Sequence, residues 1–265
     1  NGTRAKLIRP LDWLVVADHA ENLGLAPMIE ESNPDLLRIA WGKKVHDMTK
    51  SGTADEAYAT WGEAMQSGKD PLPEEAIMRS MWERLTEFAE EYNEPGKFTS
   101  LIGYEWSSLP NGNNLHRIVM FRDGADRVKQ VLPFSAFDSE DPEDLWAHFQ
   151  NYEDKTGGRV MAYAHNGNWG TGMMFSLKKF NGKDLDADYA KTRMRWEPVY
   201  EVTQIKGDGE THPLLSTNDE FADFGTWDKG DVGGRNRITK EMLPHQYARS
   251  ALLLGLQQEK KLGVN

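Results

Sequence analysis

The chain has 265 residues, of which 38% are hydrophobic and 28% charged, and its formal net charge is −11. This apolar content excludes a disordered chain, and the acidic excess argues against a nucleic-acid-binding protein, which needs a surplus of Lys and Arg. There is no Cys, so a metal ion would be held by His, Asp, Glu or water, and no apolar run reaches the ~20 residues that span a membrane.

The first part of the chain is predicted to hold one strand and then a long helical segment. Residues 11–17 form a short, mostly apolar run, typical of a strand buried on both faces. The clearest helix extends from Glu74 to Tyr92, where apolar side chains recur every three or four positions. The members of that apolar stripe are Ile77, Met81, Leu85, Phe88, Ala89 and Tyr92. Residues 34–94 are therefore interpreted as a helical insertion in a single domain that covers 1–265.

The second part of the chain alternates strands with helices. Strands are predicted at 99–104, 115–121, 159–164 and 198–205, and helices at 141–155, 218–224 and 243–262. A hairpin with Trp106 opposite Leu115 would join the first two of these strands. This alternation favours an α/β fold with a mainly parallel sheet or barrel.

Residues of types that can bind metals lie at the ends of four predicted strands. They are Asp18 and His19 after the first strand, Glu105 at the end of the second, His116 at the start of the third, and His165 with Asn166 after the fourth. Strand ends meet at one edge of an α/β sheet, and the predicted hairpin sets Glu105 directly opposite His116. Three imidazoles and a carboxylate are ligands that suit a catalytic divalent ion, and a carboxylate can bridge two ions. The alternative is that each of these residues only caps a helix or faces solvent.

Several of these residues and their neighbours allow more than one interpretation. Asp18 is either part of the site or the N-cap of a following helix, with Glu21 completing a capping box. Glu201 lies inside a predicted strand and needs a cation or a hydrogen-bond donor there. Lys206 meets either an anionic group of a substrate or Glu210 in a surface ion pair.

The motifs resemble a bacterial family, the domain of unknown function family numbered 3604, which is related to the PHP (polymerase and histidinol phosphatase) metal-dependent hydrolases. The resemblance is carried by residues 10–21, 103–108, 114–117, 164–168 and 201–213. It implies a distorted (β/α)7 barrel, incomplete here, with two or three divalent ions (Zn, Mn or Fe) and a small-molecule substrate. The metal ligands that it implies are His19, Glu105, His116 and His165.

Catalytic and substrate-binding roles are assigned in addition to the four metal ligands. Catalytic roles are assigned to Asp18, Glu105 and Lys206. Substrate contacts are assigned to Arg117, Asn166, Asn168, Trp169, Gln204 and His212, with Trp106 as a second ring for stacking.

The resemblance leaves two motifs of PHP proteins without a counterpart. These proteins begin with a His-x-His pair and end with an Asp-x-His motif, and neither pattern occurs in this sequence at the matching place. The missing motifs would precede Asn1 and follow Asn265, so the chain is expected to be a fragment that lacks some metal ligands. The sequence gives no indication of a cellular compartment.

The leading hypothesis is a metal-dependent hydrolase in which bound ions activate water, with phosphoester hydrolysis implied by analogy to the superfamily. One alternative is a non-catalytic module for a small ligand or carbohydrate, suited by the Trp and Asn residues of 105–116 and 165–172, and another is an inactive fragment. A third is a glycosidase that uses Glu105 with Glu201, which requires two carboxyl groups roughly 5–9.5 Å apart.

Overall fold

The computed structural model describes Arg4, residues 6–231, Gly234 and residues 236–264. Asn1 and Asn265, on which the fragment hypothesis rests, lie outside the described residues. Within the described ranges, no helix combines the length and the apolar character that crossing a membrane requires.

A five-stranded sheet, with its strands in chain order, forms the centre of the fold. Its strands are β1 (Trp13–Val16), β2 (Thr99–Trp106), β3 (Arg117–Phe121), β4 (Val160–Ala164) and β5 (Val199–Tyr200). The β1–β2 and β4–β5 pairs are parallel, whereas β2–β3 and β3–β4 are antiparallel. The sheet is therefore mixed and not mainly parallel as expected. It curls into half a barrel within a mixed α/β fold. Five curled strands do not confirm a closed seven-stranded barrel.

The described residues form nine α-helices, of which α5, α7 and α8 pack on the sheet. They are α1 (Leu25–Glu30), α2 (Pro34–Leu37), α3 (Ala40–Lys50), α4 (Ala54–Ser67), α5 (Glu75–Tyr92), α6 (Ala125–Val128), α7 (Pro142–Thr156), α8 (Ala187–Trp196) and α9 (Ala248–Leu262). The segment interpreted as a helical insertion contains α2 to α5. Its last helix, α5, also serves as the crossover between the parallel strands β1 and β2, because it packs directly on β2.

The apolar core lies between one face of the sheet and helices α5 and α7. Trp82 on α5 places its ring 6.0 Å from that of Tyr104 and 6.1 Å from that of Phe121. Tyr152 on α7 continues this aromatic row, with its ring centroid 4.9 Å from Phe121. Trp82 lies beside the stripe that was predicted for α5 and is nevertheless 1% exposed.

The pleat of the strands separates this core from the opposite, concave face of the sheet. Tyr104 and Trp106 on β2 are fully buried on the helix side, so Glu105 between them faces the concave side. Val119 and Phe121 of β3 pack in the same core, which leaves the alternate positions, Ile118 and the preceding His116, on the concave side. The candidate metal ligands therefore lie on the face that the helical core does not cover.

Four expectations about individual elements differ from the structure. Strand β1 is an edge strand with Trp13 and Val16 more than half exposed, so it is not buried on both faces. The strand predicted at 198–205 is interrupted: after β5 the chain leaves the sheet and forms a separate hairpin of β6 (Thr203–Gln204) and β7 (Gly207–Asp208). Residues 218–224 form turns and no helix, and the helix predicted from 243 begins at Ala248 after a 3₁₀ turn.

Candidate metal centre

The carboxylate of Glu105, at the end of β2, is surrounded by three imidazoles. Its Oε1 atom lies 2.6 Å from Nδ1 of His116 and 3.7 Å from Nε2 of His165. Its Oε2 atom lies 3.7 Å from Nδ1 of His19. Glu105 and His116 are 7% and 8% exposed, whereas the His19 side chain is 44% exposed and opens the group to solvent. The four side chains assigned to one site by the sequence are thus neighbours.

Continuous strand pairing brings these four residues together. The parallel register of β1 and β2 extends beyond Val16 to a bridge between His19 and Glu105. The antiparallel register of β2 and β3 sets Glu105 opposite Ile118, and not opposite His116 as predicted. His116 is therefore the diagonal neighbour of Glu105 on the same face of the sheet, which is within side-chain reach. The amide of His165 donates to the carbonyl of His116 at 3.1 Å and extends the β3–β4 pairing in the same way.

Each imidazole is oriented by a hydrogen bond through its Nδ1 atom. Nδ1 of His165 lies 2.8 Å from Oε1 of Glu201, whose other carboxylate oxygen accepts from the amide of Asn166 at 3.0 Å. Glu201 thereby has the donor partners that its position required. Nδ1 of His116 is bonded to Glu105, and Nδ1 of His19 is bonded to the hydroxyl of Ser107.

The buried position of Glu105 and His116 determines their charge. Burial raises the pKa of Glu105, but the hydrogen bond and charge of His116, with the charges of His19 and His165, lower it to about 2. Burial lowers the pKa of His116 below its ordinary value of 6.5, and this effect exceeds the opposing influence of Glu105. At neutral pH, Glu105 is therefore a carboxylate and His116 a neutral imidazole. Nε2 of His116 is buried and has no hydrogen-bond partner within the described residues.

The loop that follows His165 is joined by hydrogen bonds to the segment 203–208. Asn166 has a left-handed backbone (φ 55°), and its side-chain oxygen accepts from the side-chain amide of Gln204. Asn168 is 1% exposed and donates to the carbonyl of Lys206 at 3.2 Å, so it joins the two loops and does not face a ligand. Nζ of Lys206 lies 5.8 Å from the ring centre of Trp169.

Lys206 is partly buried and forms no ion pair with any residue that the structure describes. The surface pair with Glu210, one of the two alternatives for Lys206, is not formed: Glu210 is paired with Arg249 at 2.5 Å. Lys206 therefore remains a cation without a protein counter-charge beside Trp169.

Arg117, assigned to substrate binding, lies on the opposite face of β3. Its guanidinium is 1% exposed and donates to Glu197 at 2.9 Å and to the carbonyl of Leu115 at 2.5 Å. A side chain that is buried and paired in this way holds β3 to α8, so we remove Arg117 from the candidate site.

Three more of the assigned residues have other contacts in the structure. The backbone carbonyl of Asp18 accepts from the amide of Glu105 at 2.8 Å, and Asp18 lines a cavity of about 440 Å³ between β1 and α5. It caps no helix, because α1 begins after Gly24. Trp106 is fully buried and donates to the carbonyl of Ser139, so it cannot stack on a substrate. His212 is 5% exposed and pairs with Asp228 at 3.1 Å.

Two contacts at His19 could not be read from the sequence. The ring of Trp61, on α4, has its centroid 5.5 Å from that of His19, and Tyr58 lies one helical turn away, 5.7 Å from Trp61. Ser107 supplies the hydrogen bond to His19 from the residue after β2. The helical segment before β2 thus reaches the mouth of the site.

The positions of the side chains do not form a complete ion site by themselves. Within the described ranges, no three His, Asp or Glu side chains are arranged to hold one ion in common. His19 and His116 both direct Nδ1 towards Glu105, which turns the other nitrogen of each ring away from that carboxylate.

The protein therefore has a mixed α/β fold with a histidine–carboxylate site, in which three imidazoles surround the carboxylate of Glu105. Residues 1–265 match the model of a family described as protein of unknown function (DUF3604), and the chain belongs to this family. A search of curated proteins found no match, and a search of solved structures found none either.

Proposed function

We propose that this protein is a metal-dependent hydrolase of the PHP-like type, in which His19, Glu105, His116 and His165 hold divalent ions. The observation that carries the proposal is the position of Glu105, a buried carboxylate with an imidazole nitrogen of each of three His residues within 3.7 Å. These residues project from the face of the sheet opposite the apolar core, so packing does not account for them. His and carboxylate donors are the set that Zn, Mn and Fe take in catalytic sites.

The protonation states of the donors fit a divalent ion. Metal ligands must be deprotonated, and Glu105 with its pKa of about 2 and His116 with its lowered pKa meet that condition at neutral pH. Because Nδ1 of His116 carries the hydrogen bond to Glu105, the buried and unpartnered Nε2 atom is left with its lone pair. His165 is held through Nδ1 by Glu201, an arrangement that commonly orients metal-binding imidazoles.

A bound divalent ion would supply a water of lowered pKa and would polarise the scissile bond. The residues of this chain contribute the donors and their orientation: Glu105 supplies the negative charge and Glu201 fixes the ring of His165. Lys206 and Trp169 form the wall that an incoming substrate meets beyond His165. In this proposal the curled five-stranded sheet is the described part of a PHP-like barrel.

An ester of phosphate is the substrate class that the charge distribution favours. Every other described lysine is either exposed or ion-paired, so Lys206 is the one partly buried lysine in these ranges that lacks a carboxylate partner. A buried cation without a counter-charge is costly, and an anionic group of a substrate would relieve that cost. A phosphate group would bring its negative charge to Lys206 and its scissile bond to the ions.

The test is to measure bound Zn, Mn and Fe after loading the purified protein, and to assay phosphate and sulfate esters before and after chelation. We expect bound metal and chelator-sensitive hydrolysis of phosphate esters. The variant His165→Ala should lose both, and the control His46→Gln, on α3, should keep both. Stable, folded protein that takes up no divalent ion refutes the proposal. A His165→Ala variant that keeps its metal and changes only ligand affinity favours a non-catalytic binding module.

The glycosidase alternative does not agree with the contacts of Glu105 and Glu201. Its two carboxyl groups must face each other across the scissile bond. Here the imidazole of His165 lies between Glu105 and Glu201, and Glu201 is bonded to that imidazole and to the amide of Asn166.

A further inference from the structure

We propose that Ser107 is a positioning residue that fixes the tautomer and the orientation of His19, so that Nε2 of this imidazole is available to an ion. The inference rests on the proposed function, because it concerns how one of the four metal-binding side chains is held. It adds a residue that the sequence did not indicate.

Ser107 is placed between His19 and the end of β2. Its hydroxyl is 1% exposed and forms a hydrogen bond with Nδ1 of His19, and the same oxygen lies 3.4 Å from the carbonyl oxygen of Glu105. The His19 side chain is 44% exposed, and it also neighbours the carboxylate of Glu105 at 3.7 Å, the ring of Trp61 and the ring of His116, whose centroid is 6.1 Å away. Ser107 is therefore the one hydrogen-bond partner that the described residues give to this ring.

The surrounding acceptors decide which atom carries the proton. The carbonyl oxygen of Glu105 lies 3.4 Å from the Ser107 hydroxyl and offers it an acceptor, which leaves the Ser107 oxygen to accept the proton of Nδ1 of His19 in this proposal. The negative charge on Oε2 of Glu105, 3.7 Å from Nδ1, favours the same tautomer. With its proton on Nδ1, the imidazole presents the lone pair of Nε2, which is the form that binds a metal ion.

Glu21 holds the backbone of Ser107 in this place. Oε1 of Glu21 accepts from the amide of Ser107 at 3.2 Å and from the amide of Ala136 at 2.6 Å, and Glu21 is 1% exposed. Glu21 follows His19 by two residues, so the segment that carries His19 is attached to the end of β2 both through the hydroxyl of Ser107 and through the buried carboxyl group of Glu21. The His19 ring is thereby preorganised before any ion arrives.

The experiment compares two adjacent serines of equal burial. Ser107→Ala removes the bond to His19, whereas Ser108→Ala removes a bond from an equally buried hydroxyl to the carbonyl of Glu140, 2.9 Å away. We expect the affinity for Zn or Mn, measured by competition with a chromophoric chelator, to fall about 10- to 100-fold in Ser107→Ala. The affinity of Ser108→Ala should stay close to that of the unaltered protein.

A second measurement reads the tautomer directly in protein without metal. Nitrogen-15 NMR at a pH of about 9, well above ordinary histidine pKa values, should show the proton of His19 on Nδ1, and Ser107→Ala should give a mixture of tautomers. A proton on Nε2 in the unaltered protein overturns the inference, even if Ser107→Ala does not fold. Equal metal affinity of Ser107→Ala and unaltered protein also overturns it. If the unaltered protein binds no ion, the proposed function fails, and the NMR measurement still decides the role of Ser107.

Discussion

Glu197, at the end of α8, binds two guanidinium groups inside the protein. Its side chain is 3% exposed and accepts from Arg117 at 2.9 Å, from Arg193 at 3.1 Å and from the indole of Trp146 at 3.0 Å. Burial raises the pKa of Glu197, but the two guanidinium groups and these hydrogen bonds outweigh it and lower the pKa. The carboxylate is therefore ionised, and it is the counter-charge of the buried Arg117.

Glu197→Gln preserves the shape of the side chain and removes its charge. Arg117 is then a cation that is 1% exposed and has no counter-ion among its described contacts. Removing one partner of a buried ion pair costs about 3–5 kcal/mol, because the remaining charge stays out of water. We expect the free energy of unfolding to fall by that amount and the melting temperature to fall by on the order of 10 °C.

The assay is urea unfolding followed by far-UV circular dichroism, since a fluorescence signal would include Trp146 itself. The matched control is Glu74→Gln, which breaks an exposed bidentate pair with Arg38. The side chains of that pair are 50% and 38% exposed, and pairs of this kind contribute less than about 1 kcal/mol. Equal losses in the two variants would refute the reasoning. An unchanged stability with a raised KM would return Arg117 to the substrate site.

Three further predictions concern the site itself. The pKa of Glu105 is about 2 against an ordinary 4.5, so the stability it provides is complete above pH 4.5 and about 3 kcal/mol is lost as the pH falls towards 2. The lowered pKa of His116 adds a loss that begins below pH 6.5, and urea midpoints that stay constant from pH 7 down to 3 would contradict both statements. Trp61→Ala should raise KM about 2- to 10-fold for aryl phosphates through loss of ring contact and leave KM for alkyl phosphates unchanged. An equal change for both substrates would exclude a stacking role. Glu201→Gln should weaken metal affinity about 10- to 100-fold in a chelator competition, because the ring of His165 loses its charged acceptor, and unchanged affinity would exclude an orienting role of Glu201.

The elements that were predicted well are those with a repeating local pattern. Helix α5 was expected at 74–92 and is observed at Glu75–Tyr92, since an apolar stripe of helical period is a property of that segment alone. The strand expected at 198–205 has no such repeat. Only two of its residues pair with β4, and the following ones form a hairpin of their own, which depends on contacts far away in the sequence.

The grouping of Glu105 with three His residues was predictable because it depends on strand ends and not on exact pairing. The register of β2 and β3 differs from the expected one by two residues, and a shift of two leaves His116 on the same face. The contacts of Trp61 and Ser107 with His19 depend on how α4 and the end of β2 pack in three dimensions. No spacing in the sequence connects these residues with His19.

The assignments of Arg117 and Trp106 fail for one physical reason, the alternation of side chains along a strand. Arg117 directly follows His116, yet it points to the core side of β3, where Glu197 neutralises it. Trp106 directly follows Glu105 and is buried on the core side of β2 in the same way. Adjacent residues in a sequence motif were assigned to one site, whereas adjacent side chains of a strand point to opposite faces of the sheet, one to the concave face and the other to the core. Substitutions on the concave face, at Glu105 or His116, should therefore change metal affinity. Substitutions on the core side, at Trp106 or Arg117, should change the free energy of unfolding.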